Sequence, residues 1–179
     1  MDGPSDHDLM ARTAQDDGRA FRMLAQRHAG RALGLARRML GNEALAEEIV
    51  QDALLRVWTN APRWRPEAAF RTWLYRIVVN LCLTAKRRRP DVPLAAGEHV
   101  ADPAAAADAQ LETRERDQLL AIAVDALPER QRAAIVLSYQ EGLSNADVAA
   151  VLDTSVSSVE TLLVRAKRTL RAELDFAKT

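Results

Sequence analysis

Cysteine is nearly absent from the sequence: Cys82 is the single thiol. No disulfide can form within the chain, a reducing compartment is the natural setting, and Cys82 itself reads as a small buried apolar residue. Histidine is scarce too, and His7, His28 and His99 lack metal-ligand partners at useful spacing. There is no glycine-rich phosphate loop and no nucleophile elbow, so nothing points to an enzyme, a metal or another cofactor. No apolar run approaches the roughly 20 residues of a membrane span. The first ten residues, MDGPSDHDLM, are acidic and have no apolar centre, unlike a signal peptide. These absences leave a soluble, cytoplasmic binding protein as the expectation.

The formal net charge of the 179 residues is zero, but the charge is unevenly placed. From Arg63 to Arg89 the chain carries Arg63, Arg65, Arg71, Arg76, Lys86, Arg87, Arg88 and Arg89 against Glu67 alone. Aromatic residues make up only 4% of the chain, yet Trp58, Trp64, Phe70, Trp73 and Tyr75 crowd into the same region. Cations that follow a phosphate backbone, beside rings on which unpaired bases stack, suit single-stranded nucleic acid. Read as one helix at about 100° per residue, Phe70 to Arg89 puts Phe70, Trp73, Leu74, Ile77, Val78 and Leu81 on an apolar face. Thr72, Arg76, Asn80 and Arg87 form a polar stripe opposite, and Pro90 stops the helix. The plainer interpretation is a core helix with a solvated basic end.

Upstream, Leu9 to Met39 reads as helix with a turn near Asp16, Asp17 and Gly18, and Gly41 and Asn42 end it. Ala46, Ile49, Val50, Ala53, Leu54, Val57 and Trp58 then recur at spacings of three and four, an amphipathic helix. Its outer face, Glu43, Glu47, Glu48, Gln51 and Asp52, is either solvated or a dock for a basic helix pair. Asn60 to Pro66, with Pro62 and Pro66 bracketing Arg63, Trp64 and Arg65, reads as a loop with an exposed tryptophan. Pro90 to Gln110 is rich in Ala, Asp and Pro and reads as a flexible linker long enough to make the second half an independent domain.

Helical periodicity resumes with Leu119, Leu120, Ile122, Ala123 and Leu127, breaks at Pro128, and continues through Ala133, Ile135, Val136, Leu137 and Tyr139 to Gly142. Ser144, with Asp147 three residues on, caps a short helix that buries Val148, Ala149, Val151 and Leu152. Asp153 and Thr154 turn the chain. Ser155 caps a longer helix through Val156, Val159, Leu162, Leu163, Ala166 and Leu170. Short helix, tight turn and long helix make a helix-turn-helix pattern. Ser157, Ser158, Thr161, Arg165 and Arg168 face outward near Lys167, short polar groups toward base edges and cations toward phosphates. A plain helical hairpin with a solvated surface is the alternative.

The ordered set AFRMLAQRH, AEEIVQDALLRVW, FRTWLYRIVVNLCLTAKRRR, LPERQRAAIVLSYQEGLSNADVAAVL and SVSSVETLLVRAKRTLR resembles bacterial RNA polymerase sigma factors of the extracytoplasmic-function group. The resemblance implies an all-α chain of two helical domains, 1–92 and 114–179, joined by a linker at 93–113. It implies docking of core RNA polymerase, on the clamp helices of the largest subunit through Glu47, Glu48, Gln51, Asp52 and Leu54 and on the flap of the β subunit. It implies capture and opening of a promoter minus-ten element by Arg63, Trp64, Arg65, Arg71, Trp73, Arg76, Asn80, Lys86, Arg87 and Arg88. Reading of the minus-thirty-five element falls to Ser157, Ser158, Thr161, Arg165, Lys167 and Arg168. It also implies a stress or envelope response held in check by an anti-sigma factor. A stand-alone helix-turn-helix regulator would leave the basic helix without purpose, and a decoy for an anti-sigma protein would not need the outward DNA-facing groups.

Overall fold

The computed structural model describes residues 3–66, 68–88 and 119–176, and among them there are helices and turns but no strand. The linker expected at 93–113, together with Arg89, Pro90 and His99, lies outside the described residues.

Local chemistry sets most of the helix boundaries. Helix α1 (Asp6–Thr13) starts in a capping box: Asp8 N–H donates to Ser5 Oγ at 3.1 Å and Ser5 N–H to Asp8 Oδ2 at 3.2 Å. Helix α2 (Gly18–Leu40) is capped by Asp17, which accepts from Arg19 N–H at 2.9 Å and Ala20 N–H at 3.1 Å. Arg12 grips the other oxygen of that carboxylate at 2.7 Å. The Arg12 contact first, then these backbone donors, hold the Asp17 carboxyl below the usual carboxylate range. Gly41 closes α2 at φ 64°, a left-handed conformation in which a side chain would strain. Asn42 next to it caps α3 (Glu43–Asn60), receiving Leu45 N–H at 2.9 Å, so two residues fold α3 back onto α2.

Helix α4 (Phe70–Arg88) is the axis of the molecule, packed against α2, α3 and α7 (Asn145–Leu152). Phe70, Leu74, Val78 and Leu81 are buried as the expected apolar face, with Trp73 and Ile77 half-buried. A second stripe, Thr72, Tyr75, Val79 and Cys82, is buried as well. This corrects the expected two-faced helix: α7 covers part of the polar side, so Thr72 is only 4% exposed. Burial pushes the Cys82 thiol up to about 12.

In the second half a helical stretch α5 (119–125) leads through Pro128 into α6 (Glu129–Ile135), which widens into a π-helical turn, Val136–Gln140. Gly142 ends it at φ 66°. Helices α7 and α8 (Val156–Phe176) complete the unit. Leu119, Leu120 and Ile122, expected in the core, are 41%, 43% and 65% exposed, while Ala123, Val124 and Leu127 turn inward. Helical spacing makes an apolar face but does not decide how much of it finds a partner. The buried apolar residues of both halves form one continuous cluster, so the second half packs on the first instead of standing apart.

Candidate nucleic-acid interface

The expected loop after α3 opens with a short 3-10 turn, Ala61–Arg63, that accommodates Pro62, whose absent N–H costs nothing there. Arg63 and Arg65 are exposed on either side of Trp64. Trp64 is not the exposed ring anticipated: it is half-buried against the core, its centroid 5.5 Å from that of His7 and 6.4 Å from that of Trp73. Trp73 continues the series to Phe70 at 6.1 Å, and Phe70 to His28 at 4.9 Å. Tilted ring pairs at these spacings are favourable and fix the loop to α4. Trp64 Nε1 is buried without a hydrogen-bond partner among the described residues.

Along α4, Arg76, Asn80, Arg87 and Arg88 are exposed and Arg71 is half-buried. Asn80 also lines a cavity of about 330 Å³ between α3 and α4, with Glu48, Asp52, Arg56 and Arg88. Arg76 Nη2 donates to Asp153 Oδ1 at 2.9 Å, a partner from the second half. Lys86, expected as a solvated cation, is half-buried beside that half. Burial, and then the nearby Arg132 guanidinium, lower its ammonium pKa, while Asp125 and Glu129 oppose the shift.

On α3, Glu47, Glu48 and Gln51 are exposed, whereas Asp52 and Leu54 are half-buried. Asp52 pairs with Arg56 one turn on at 3.2 Å. The five form one acidic face with an apolar edge. Leu55, 59% exposed beside them, belongs to that surface and was missed because a lone outward leucine does not disturb the helical period.

The helix-turn-helix is built as its caps dictate. Asp147 N–H donates to Ser144 Oγ at 3.1 Å, and Ser158 N–H to Ser155 Oγ at 3.2 Å. Asp153 takes the left-handed turn at φ 52°, a conformation that aspartate tolerates. Val159, Leu163 and Ala166 anchor α8. Ser157, Thr161, Arg165, Lys167 and Arg168 are exposed; Ser158 is half-buried, its hydroxyl 2.8 Å from that of Ser155. Lys167 lies 5.0 Å from the centre of the Tyr139 ring.

Two residues that sequence reasoning passed over join the halves. Glu141 accepts from Arg38 and from the Tyr75 hydroxyl, the latter at 2.5 Å. Burial, then that hydrogen bond and the carboxylate's charge, raise the Tyr75 pKa, so the hydroxyl remains a donor. Arg132, 3% exposed, donates to the carbonyls of Val124 at 3.1 Å, Met39 at 3.0 Å, Leu127 at 3.4 Å and Asp125. Its pattern, an arginine four residues after a proline, carries no local signal that it will be buried.

An all-helical protein with a ring-and-arginine surface and a capped helix-turn-helix is the class that the geometry defines: a nucleic-acid-binding protein with two contact regions. Residues 24–90 match the model of sigma-70 region 2, and residues 110–170 match sigma-70 region 4. Similar proteins include the ECF RNA polymerase sigma factor SigM of Mycobacterium tuberculosis, 37% identical over 98% of this chain and 87% of that one. Another is the ECF RNA polymerase sigma-E factor of Haemophilus influenzae, 30% identical over 95% of each. Among solved structures, that of CnrH in complex with the cytosolic domain of CnrY contains a chain 32% identical, with a TM-score of 0.70, covering 96% of this chain and 98% of that one. The chain belongs to the extracytoplasmic-function RNA polymerase sigma factors of the sigma-70 family. Among the described residues no helix is long and apolar enough to cross a membrane.

Proposed function

We propose that the two units divide the work of promoter recognition as follows. Residues 1–92 dock on core polymerase and open the minus-ten element; residues 114–179 read the minus-thirty-five element. The acidic face of α3, with Glu47, Glu48, Gln51, Asp52 and Leu54, receives the basic clamp helices of the largest subunit. Trp64, Trp73, Arg71, Arg76 and Asn80 form the surface that holds an unpaired base of the non-template strand. Holding that base offsets the few kcal/mol spent in unstacking it, so binding energy becomes strand opening without any bond-making step. Arg63, Arg65, Lys86, Arg87 and Arg88 neutralise the adjoining phosphates.

The second unit sets α8 in the major groove, where Ser157, Ser158, Thr161 and Arg165 approach base edges and Lys167 and Arg168 meet phosphates. Its other side meets the flap of the β subunit. The protein works in the cytoplasm, in a stress or envelope response, under an anti-sigma factor. CnrH, the solved relative, is complexed with the cytosolic domain of another protein, which supports such control. The observation that carries the reading is the presence of both surfaces on one chain: exposed Thr161 and Arg165 on a capped α8, and exposed Arg76 and Asn80 beside a wall of rings.

Transcription with core polymerase, this protein and genomic DNA of its source tests it. Sequencing the 5′ ends should give discrete starts, each preceded by a shared two-part motif. Core polymerase that gains no new starts would refute it.

A further inference from the structure

Helix α8 turns Val159, Leu163 and Ala166 into the core, and its other side carries Ser157, Thr161, Val164, Arg165 and Arg168, all exposed. Val164 stands two turns after Ser157 and one turn before Arg168, inside this outward stripe. At 67% it is the most exposed large apolar side chain among the described residues. A lone valine on a surface is ordinary, but one within a face shaped to enter a DNA groove is set against base edges.

The polar neighbours of Val164 are already occupied. The Ser157 and Ser158 hydroxyls lie 3.0 Å and 2.8 Å from that of Ser155, and the Thr161 hydroxyl donates to the Ser157 carbonyl at 3.0 Å. The cap and the helix backbone thus engage the short hydroxyls, which leaves the Val164 side chain and the Arg165 and Arg168 guanidiniums as the uncommitted groups of the face. Glu160, exposed one turn before Val164, is followed at that turn by Leu163 and Val164 and by no cation. Its unneutralised carboxylate keeps phosphates off that flank, so the stripe beside it faces the groove floor and not the backbone.

We propose that Val164 is a specificity residue for the upstream element, its two methyl groups packing on the 5-methyl group of a thymine. The proposal rests on α8 lying in the major groove, as above. Thymine is the one base that presents an apolar group there. Cytosine in its place would set an amino donor against a side chain that cannot accept from it, so the valine both favours thymine and rejects cytosine. A protein partner would need further apolar groups around Val164 to bury, and its neighbours on the face are hydroxyls, a carboxylate and guanidiniums.

The test uses holoenzyme assembled from core polymerase and the full chain. A duplex pool randomised over the upstream element is selected with the parent holoenzyme. Each thymine of the selected element is then replaced in turn by deoxyuridine, which keeps the hydrogen-bonding edge and lacks the methyl group. At one thymine the replacement should weaken the parent complex about fourfold, the worth of one buried methyl group. Val164→Ala should lose about the same factor on the thymine duplex and no longer distinguish the two duplexes, whereas Val164→Ile, which keeps a branched apolar side chain, should retain the preference. A selected element without thymine, or one in which every thymine is replaced without effect, would overturn the role of Val164 and leave the groove placement of α8 standing. Discrimination that persists in V164A, with affinity lowered alike on both duplexes, would overturn it too and point to a protein contact. A parent holoenzyme that selects no upstream element would overturn the minus-thirty-five reading of α8 as well.

Discussion

Replacing Arg132 with methionine should destabilise the whole protein, not just its second half. The guanidinium donates to Val124, Asp125 and Leu127, where α5 ends, and to Met39, in the last turn of α2. It thus adds a donor to carbonyls in the last turns of two helices, and places a cation at their negative ends. Burial works against its charge, which Asp125 and Glu129 support. Methionine fills similar volume but takes this donor away from the buried Met39 and Leu127 carbonyls, at about 1 to 3 kcal/mol each. Removing a poorly solvated charge returns part of that, so the net loss is about 3 kcal/mol. For a chain of this size each kcal/mol is worth roughly 2 to 4 °C, giving a fall in Tm of roughly 6 to 12 °C by calorimetry. Arg132→Lys should recover little, because a point charge cannot span carbonyls that the fork reaches. A Tm within about 1 °C of the parent for R132M, or full rescue by lysine, would refute the argument.

Other outcomes follow from the same geometry. Asn80→Ala and Trp64→Ala should impair promoter opening, followed by permanganate reactivity, far more than core-polymerase binding; equal loss of both would remove them from the strand surface. Arg165→Ala should weaken promoter binding by about 1 to 3 kcal/mol and relax preference at one base pair, whereas Lys167→Ala should weaken all sequences alike and lower the salt slope by about 1. Cys82, its thiol pushed up to about 12 by burial, should resist a thiol reagent in mildly alkaline buffer and react promptly once urea unfolds the chain. Prompt labelling of the folded protein would show that the site opens without unfolding.

What could be read from the sequence is what local chemistry decides. Asn42, Ser144 and Ser155 accept backbone N–H groups within three residues, so the helix starts they mark are legible from spacing alone. Val148, Ala149, Val151 and Leu152 are buried as their period requires. Contacts between distant segments were not legible. Thr72 shares the polar stripe of α4 with Arg76, and only the arrival of α7, more than seventy positions later, buries the one and pairs the other. Trp64 sits between exposed arginines in a proline-bracketed turn, yet His7 and Trp73 draw its ring inward. Glu141 and Arg132 look like ordinary surface charges until their partners on α2 and α4 are in place. The outward residues of α8 were legible because a capped helix on a tight turn has one apolar face to bury and the rest follows.

The central claim is that α4 and α8 read different parts of one promoter. Photoreactive amino acids placed in turn at Asn80 and at Thr161, in complexes with core polymerase on a promoter that the protein serves, address it most directly. The Asn80 probe should crosslink to the non-template strand within the opened segment, and the Thr161 probe to duplex DNA farther upstream. Crosslinks from both probes at the same element, or from the Asn80 probe only to duplex DNA, would contradict the account.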